Sequence, residues 1–314
     1  MNAPAAGRSI EVSIVIPCYN EIENVAAIVA AVQGEARVHA ESHEIILIDN
    51  CSTDGTREAI RALCAANPDV CAIFNNRNYG QMRSPTYGMY QARGRAVIGM
   101  GADFQDPPEM IGSFLKLWRG GAAIVLAQRR TERSSPLLGL VRHAGYSVLG
   151  RISDSPLVPG ATGFGLFDHK VVETLAGWNE PEPFFRGMVV ESGFPLALLP
   201  FDRPARAGGR TKNGIRALTA FALSALAGTA RGMLRWPVLL SAWTGLASLV
   251  LLAFALFYRA WPLAAAGLAG TMFTVVLFFL GLIGDQVRLI AERTRGTPLV
   301  IEECRINFPE APSP

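Results

Sequence analysis

Apolar residues follow two patterns along the chain. Short runs rich in Val and Ile recur at 11–16 (EVSIVI), 44–49 (EIILID), 70–74 (VCAIF), 96–100 (AVIGM) and 122–127 (AAIVLA). Between them, stretches near 22–33, 55–66, 81–92 and 108–118 space their apolar residues as helices do. Strands that are apolar almost throughout, joined by helical crossovers, predict an α/β fold with a mostly parallel sheet covered by helices on both faces. Further on the apolar residues coalesce. Residues 237–258 and 260–284 carry no charge, and each exceeds the ~20 residues that cross a ~30 Å hydrocarbon core. Only Arg259 separates them, so they read as a transmembrane hairpin with Trp236, Tyr258 and Trp261 at the span ends.

Arginine placement orients the hairpin. Arg216, Arg231 and Arg235 precede the first span, and Arg288, Arg293 and Arg295 follow the second. The positive-inside rule then puts both termini, and the α/β part, in the cytoplasm. The first residues run into a strand pattern without the apolar core of a signal peptide. The five cysteines (Cys18, Cys51, Cys64, Cys71, Cys304) include no C-x-x-C pair, which fits a reducing compartment.

Composition sharpens this only in part. Of 314 residues, 50% are hydrophobic and 18% charged, so a disordered chain is excluded. A net charge of +3 makes no case for nucleic-acid binding. Lysine occurs only at Lys116, Lys170 and Lys212, so the basic side is almost all Arg.

In a parallel α/β sheet, ligands bind beyond the carboxyl ends of the strands. The strand tips here are Pro17-Cys18-Tyr19-Asn20-Glu21, Asp49-Asn50-Cys51-Ser52-Thr53-Asp54-Gly55, Asn75-Asn76-Arg77-Asn78-Tyr79-Gly80 and Gly101-Ala102-Asp103-Phe104-Gln105-Asp106. One such tip could be a helix cap, as Asp54 before Gly55 is. Four acidic or amide tips on one edge predict a shared site. None carries G-x-G-x-x-G or G-x-x-x-x-G-K-[ST], which disfavours a nicotinamide dehydrogenase or a P-loop enzyme. A carboxylate-lined site can instead hold a nucleotide diphosphate through Mg²⁺ or Mn²⁺.

On these motifs the chain resembles family 2 glycosyltransferases of the GT-A fold, and within them the membrane-anchored polyprenyl-phosphate sugar transferases related to dolichol-phosphate mannose synthases. SIVIPCYNEIENV resembles the opening strand and donor-binding turn, ILIDNCSTDGT the "VDDGSTDGT" motif and MGADFQDPPEMI the "MDADLQDPPE" motif. FFRGMVVESGF and DRPARAGGRTKN resemble the later "RGLVxWxGF" and "RxxGxSKY". The resemblance covers nearly the whole chain. It implies a cytosolic GT-A domain over 1–212, an interfacial amphipathic helix over 213–235, spans at 236–258 and 260–284, and a cytosolic tail over 285–314. It implies a nucleotide-sugar donor and a polyprenyl phosphate acceptor. Pro17, Tyr19, Asn20 and Glu21, with Asp49, would hold the base and ribose. Asp103 and Gln105 would face Mg²⁺ or Mn²⁺ and the diphosphate. Arg130, Arg142 and Arg206, helped by Lys212, would hold the acceptor phosphate.

The chain departs from the family pattern at several positions. The first acid of D-x-D is Gly101, the second acid after Asp49 is Asn50, and the Lys of "NxGK" is Gln81. The acid expected before "SGFR" is absent from Gly160-Ala161-Thr162-Gly163-Phe164-Gly165, and the Ser of "GxSK" is Thr211. The chemistry implied is attack of a lipid phosphate oxygen on the anomeric carbon, with inversion. A phosphate monoester is largely ionised at neutral pH, its second pKa being about 6, so such a nucleophile needs a general base less than a hydroxyl does.

Two other readings compete. A processive synthase would carry Q-x-x-R-W, but Gly232-Met233-Leu234-Arg235-Trp236 lacks the Gln. A degenerate transferase that binds without turnover is motivated by Gly101 and Asn50. Small residues in the spans (Ser241, Gly245, Gly267, Gly270) permit helix packing and self-association. His39 and His43, spaced i, i+4, read as a solvated face, and 298–303 reads as a short strand returning to the first domain.

Overall fold

The computed structural model describes residues 10–130, 158, 160–202, 204, 250, 257 and 261–309. The described strands are β1 (Val12–Cys18), β2 (His43–Asp49), β3 (Val70–Asn75), β4 (Ala96–Gly99), β5 (Ile124–Arg129), β6 (Ala161–Asp168), β7 (Leu196–Phe201) and β8 (Glu302–Ile306). The helices are α1 (Val25–His39), α2 (Thr56–Ala66), α3 (Gly80–Tyr90), α4 (Ile111–Arg119), α5 (His169–Gly177), α6 (Phe185–Glu191) and α7 (Trp261–Arg295). Within the α/β part the five Val- and Ile-rich strands and the four helices between them all form, with ends moved by a few residues.

The strands make one sheet in the order β7-β5-β6-β4-β1-β2-β3-β8. Its centre is parallel, β4-β1-β2-β3, the arrangement that successive βαβ crossovers build. The flanks are not continuations of it. Antiparallel β6 inserts between β4 and β5, and antiparallel β8 caps β3. β5 therefore lies two places from β4, where apolar patterning alone would set it alongside. Gly165 permits the insertion, because a Cβ there would stand 2.4 Å from the Val125 carbonyl of β5.

Alternation along the strands sorts the core into two layers. Ile14 and Ile16 of β1, with Ile45 and Leu47 of β2, face α1, α2 and α4. Val15, Ile46, Ile48 and Ile73 face the other way, with Met89 of α3 and Val171 of α5. Phe114 of α4 meets Phe164 of β6 edge to face at 4.8 Å. Burying one such side chain contributes about 1.5–3 kcal/mol. Two buried acids, Glu11 and Glu44, are each paired: Glu11 accepts from Arg119 at 2.8 and 3.0 Å, and Glu44 from Arg93 Nε at 2.8 Å.

The helix α7 begins at Trp261 and runs 35 residues, continuing past residue 284 to Arg295. Among the described residues no helix is long and apolar enough to cross a membrane. The segments 213–235 and 236–258 lie outside the described residues, save Val250 and Phe257. The returning strand forms slightly later than expected, as β8, antiparallel to β3.

Candidate active site

Parallel β1, β2 and β3 end at one edge, and their tips are stitched together by side chains. Asn20 adopts the left-handed region, φ 55°, tolerable for an Asn. Its N–H donates to Ser52 Oγ at 2.8 Å, and its Oδ1 accepts from Thr53 N–H at 2.7 Å. Glu21 N–H donates to Thr56 Oγ1 at 2.8 Å. The first tip is thus held against the second, and Tyr19 projects from it, 37% exposed.

Asp49 closes β2 and is fully buried. It accepts from Cys51 N–H at 3.1 Å and from Ser52 N–H at 3.2 Å, and Arg57 Nε stands 3.4 Å away. Burial pushes its pKa above the ordinary value, and the Ser52 hydrogen bonds and the Arg57 charge work against that rise. Beside it, Cys18 is pushed far up by burial and by the Asp49 charge.

Asn50 stands where the family pattern has a second acid, and it uses both ends of its amide. Its Nδ2 donates to Asn78 Oδ1 at 2.9 Å and to Gly80 carbonyl at 3.2 Å. Its Oδ1 accepts from Tyr79 N–H at 2.8 Å and from Asn75 Nδ2 at 3.2 Å. Backbone partners of opposite kind fix the orientation of the amide. No single-strand reading reveals this role, since the partners lie on the third tip.

The fourth tip curls over itself. Gly101 N–H donates to Asp106 Oδ2 at 2.9 Å, and Gln105 N–H to Asp103 Oδ1 at 3.2 Å. A Cβ on Gly101 would meet Asp103 Oδ1 at 3.3 Å and Asp106 Oδ2 at 3.4 Å. Two carboxylates therefore overhang the place where the family pattern sets an acid. Such a pair matches the one or two protein carboxylates that Mg²⁺ or Mn²⁺ uses when substrate phosphates fill the rest of its shell. Among the described residues, no cluster of three His, Cys, Asp or Glu side chains stands ready to hold a metal.

Next to this tip lies a cavity of about 230 Å³, lined by Pro17, Gln81, Gly101, Asp106, Gly163 and Arg186 with mainly apolar neighbours. Gly163 has φ +90°, and a Cβ on it would meet Arg186 Nε at 2.7 Å. Glycine is what lets the guanidinium lie across that backbone. Arg186 was missed as a site residue, although it belongs to the FFRGMVVESGF motif; that motif was its only signal.

Of the expected acceptor-binding residues, Arg130 is exposed just beyond β5, 3.9 Å from Asp202, and is not among the residues lining the cavity. Arg142, Arg206 and Lys212 lie outside the described residues. Pro17, Tyr19, Asn20, Glu21 and Asp49 share one edge with Asp103 and Gln105. His39 pairs with Glu35 at 3.5 Å.

Residues 13–172 match the family model described as Glycosyl transferase family 2. An uncharacterized glycosyltransferase of Synechocystis is 30% identical over 308 residues, covering 93% of this chain and 95% of the relative. A prophage bactoprenol glucosyl transferase homolog of Escherichia coli is 29% identical over 204 residues, 64% of this chain and 66% of that protein. Among solved structures, glucosyl-3-phosphoglycerate synthase from Mycobacterium tuberculosis, in complex with Mn²⁺, UDP and glucosyl-3-phosphoglycerate, aligns with TM-score 0.46 and 15% identity over 72% of this chain and 84% of that one.

Proposed function

The chain belongs to glycosyl transferase family 2, and from that premise we propose that it transfers a sugar from a nucleotide donor to a polyprenyl phosphate at the cytoplasmic face of a membrane. The observation that carries the reading is the shared edge: the buried Asp49 carboxylate, the Asn20 turn and the Asp103–Asp106 overhang stand side by side at the ends of parallel strands. The lipid acceptor is supported by the bactoprenol-named relatives.

Each group has a task set by its environment. Asp49, in its ionised form, accepts from N–H or O–H donors of the base and ribose, and Tyr19 offers an aromatic face beside it. Asp103 and Asp106, with Gln105, would hold Mg²⁺ or Mn²⁺, which would neutralise charge on the departing diphosphate. The cavity between Gly101 and Arg186 receives the sugar, its apolar lining excluding water from the anomeric carbon. Arg186 stands at its rim as a fork for phosphate. Arg130, Arg142, Arg206 and Lys212 would supply the rest of the acceptor's anion site. An ionised lipid phosphate attacks directly, so no side chain has to remove a proton, and the absence of an acid from Gly160–Gly165 is tolerated.

A polyprenyl acceptor requires the site to sit at a bilayer. In this reading the uncharged segments 236–258 and 260–284 would be the hairpin, with 213–235 along the interface and both termini cytoplasmic. In α7, Met272, Phe273, Val276, Leu280, Ile283 and Val287 are all 45% or more exposed. Their spacing puts them along one side of the helix, as a lipid-facing stripe requires.

The test is a membrane-fraction assay with undecaprenyl phosphate, a panel of labelled nucleotide sugars, and Mg²⁺, Mn²⁺ or EDTA. Labelled, organic-extractable lipid that disappears with Asp103→Ala supports the reading. A folded chain that binds nucleotide and labels no lipid with any donor overturns it in favour of a binding protein or another acceptor.

A further inference from the structure

We propose that Glu303, on the C-terminal strand, is a positioning residue for nucleotide binding: it anchors Arg57, the cation that faces the buried carboxylate of Asp49. This rests on the reading above, in which Asp49 receives the nucleotide.

Arg57 extends from the first turn of α2 and lies 5.3 Å over the ring of Phe74. Its Nε stands 3.4 Å from Asp49 Oδ2, and its Nη2 donates to Glu303 Oε2 at 2.7 Å. The guanidinium therefore spans a fully buried carboxylate and a half-exposed one, and the tighter contact is the outer one. Removing Glu303 leaves an Arg side chain, rich in rotamers, held by the looser contact and the ring.

The backbone explains how an edge residue reaches so far. Between β3 and β8 the register shifts, so that Phe74 pairs with Cys304 and Asn75 with Glu302. Glu303 is the extra residue of a bulge, a device that re-aims a side chain. Its neighbours divide accordingly. Cys304 accepts from Arg61 of α2 at 3.5 Å, and Glu302 accepts from Tyr87 of α3 at 2.8 Å. Without the bulge, strand alternation would send consecutive Glu303 and Cys304 to opposite faces. Both instead reach α2. The segment before β8 is also held at the site's edge, where Asn76 N–H donates to Ile301 carbonyl at 3.1 Å.

The charged state of Asp49 is the quantity at stake. Burial raises its proton affinity and Arg57 lowers it. The other titratable group facing it is Cys18 from β1, with Glu21 and Asp54 near that thiol; from its own loop Cys51 gives Asp49 a backbone N–H, while its thiol donates to the Asn76 carbonyl and lies near Arg57. β3 presents the uncharged ring of Phe74. Arg57 is the cation against Asp49 among the described residues, so loosening it favours the protonated acid.

The experiment titrates uridine diphosphate and guanosine diphosphate calorimetrically into the full chain in nanodiscs, across acid to neutral pH. Glu303→Gln is expected to weaken binding of the preferred nucleotide at neutral pH by about five-fold, in the range of coupling through a shared network. It is also expected to move the acid limb of binding up by about one pH unit, the loss of a nearby cation's influence. Glu303→Asp restores part of both. In turnover, the donor KM rises and kcat stays level. Unchanged affinity with an unchanged acid limb overturns the inference. Weaker binding with the acid limb in place also overturns it, since that is a purely structural effect. If the unaltered chain binds neither nucleotide, the reading of Asp49 fails first and is recognised as such.

Discussion

The side chain of Asn50 donates to that of Asn78 across 2.9 Å, tying the tip of β2 to the tip of β3. The family pattern has an acid at this place, and the structure shows why an amide suits this chain. Asn50 faces two acceptors and two donors at once, and a carboxylate can serve only the donors.

Asn50→Asp is therefore expected to weaken the protein instead of repairing it. The change turns two hydrogen bonds into oxygen–oxygen contacts at a site only 7% exposed, next to the buried Asp49. Thermal unfolding should show a loss of about 1–3 kcal/mol, with a higher donor KM.

Gly101→Asp is expected to trade stability for metal affinity. Its Cβ would sit 3.3 and 3.4 Å from two carboxylate oxygens, so the cation-free protein should melt lower. Mn²⁺ titrated in the presence of a nucleoside diphosphate should bind about ten-fold tighter, because a third anionic ligand suits a hard cation. Calorimetry and a melting curve together read both arms.

Asp49 gives pH dependences of opposite sign for stability and for binding. Its folded pKa is raised by burial, so ionising it costs stability above that pKa, and the cost is relieved as pH falls through it. Nucleotide binding needs the ionised form and is lost over that same fall. The acid limb of binding should thus lie above the ordinary aspartate range, with no matching drop in melting temperature, and Asp49→Asn should abolish the limb.

Gly163→Ala should destabilise by about 1–3 kcal/mol, the cost of a side chain in a left-handed conformation, and should push Arg186 from the cavity rim. Arg186→Ala leaves the backbone alone. It is expected to cut lipid glycosylation about ten-fold or more, as loss of a charge-assisted contact to phosphate does. Steady-state kinetics and circular dichroism separate the two variants.

The parallel core was legible because its cause is local. Val- and Ile-rich runs between helical periods specify β1 to β5 and α1 to α4 whatever lies beyond them, and the polar tips follow from where those runs stop. Motif spacing placed Asp49, Asn20 and Asp103 at one edge. The flanks were illegible for the opposite reason. β6 is rich in glycine and does not look like a strand until a partner supplies its hydrogen bonds, and its place between β4 and β5 depends on Gly165 fitting under another segment; a returning strand was legible near 298–303, but its bounds and its pairing with β3 were not. Asn50 read as a departure from the family pattern because its partners sit on another tip, Arg186 drew no assignment because its cavity is built from distant elements, and Glu303 reaches Arg57 only through a register shift. Sequence alone determined the strands and helices of the parallel core, β1 to β5 and α1 to α4, and which polar residues cluster at their ends, since those depend on neighbours along the chain. Tertiary structure decided strand order at the flanks, the partners of Asn50 and the link from Glu303 to Asp49, since each requires groups far apart in sequence to meet at hydrogen-bonding distance.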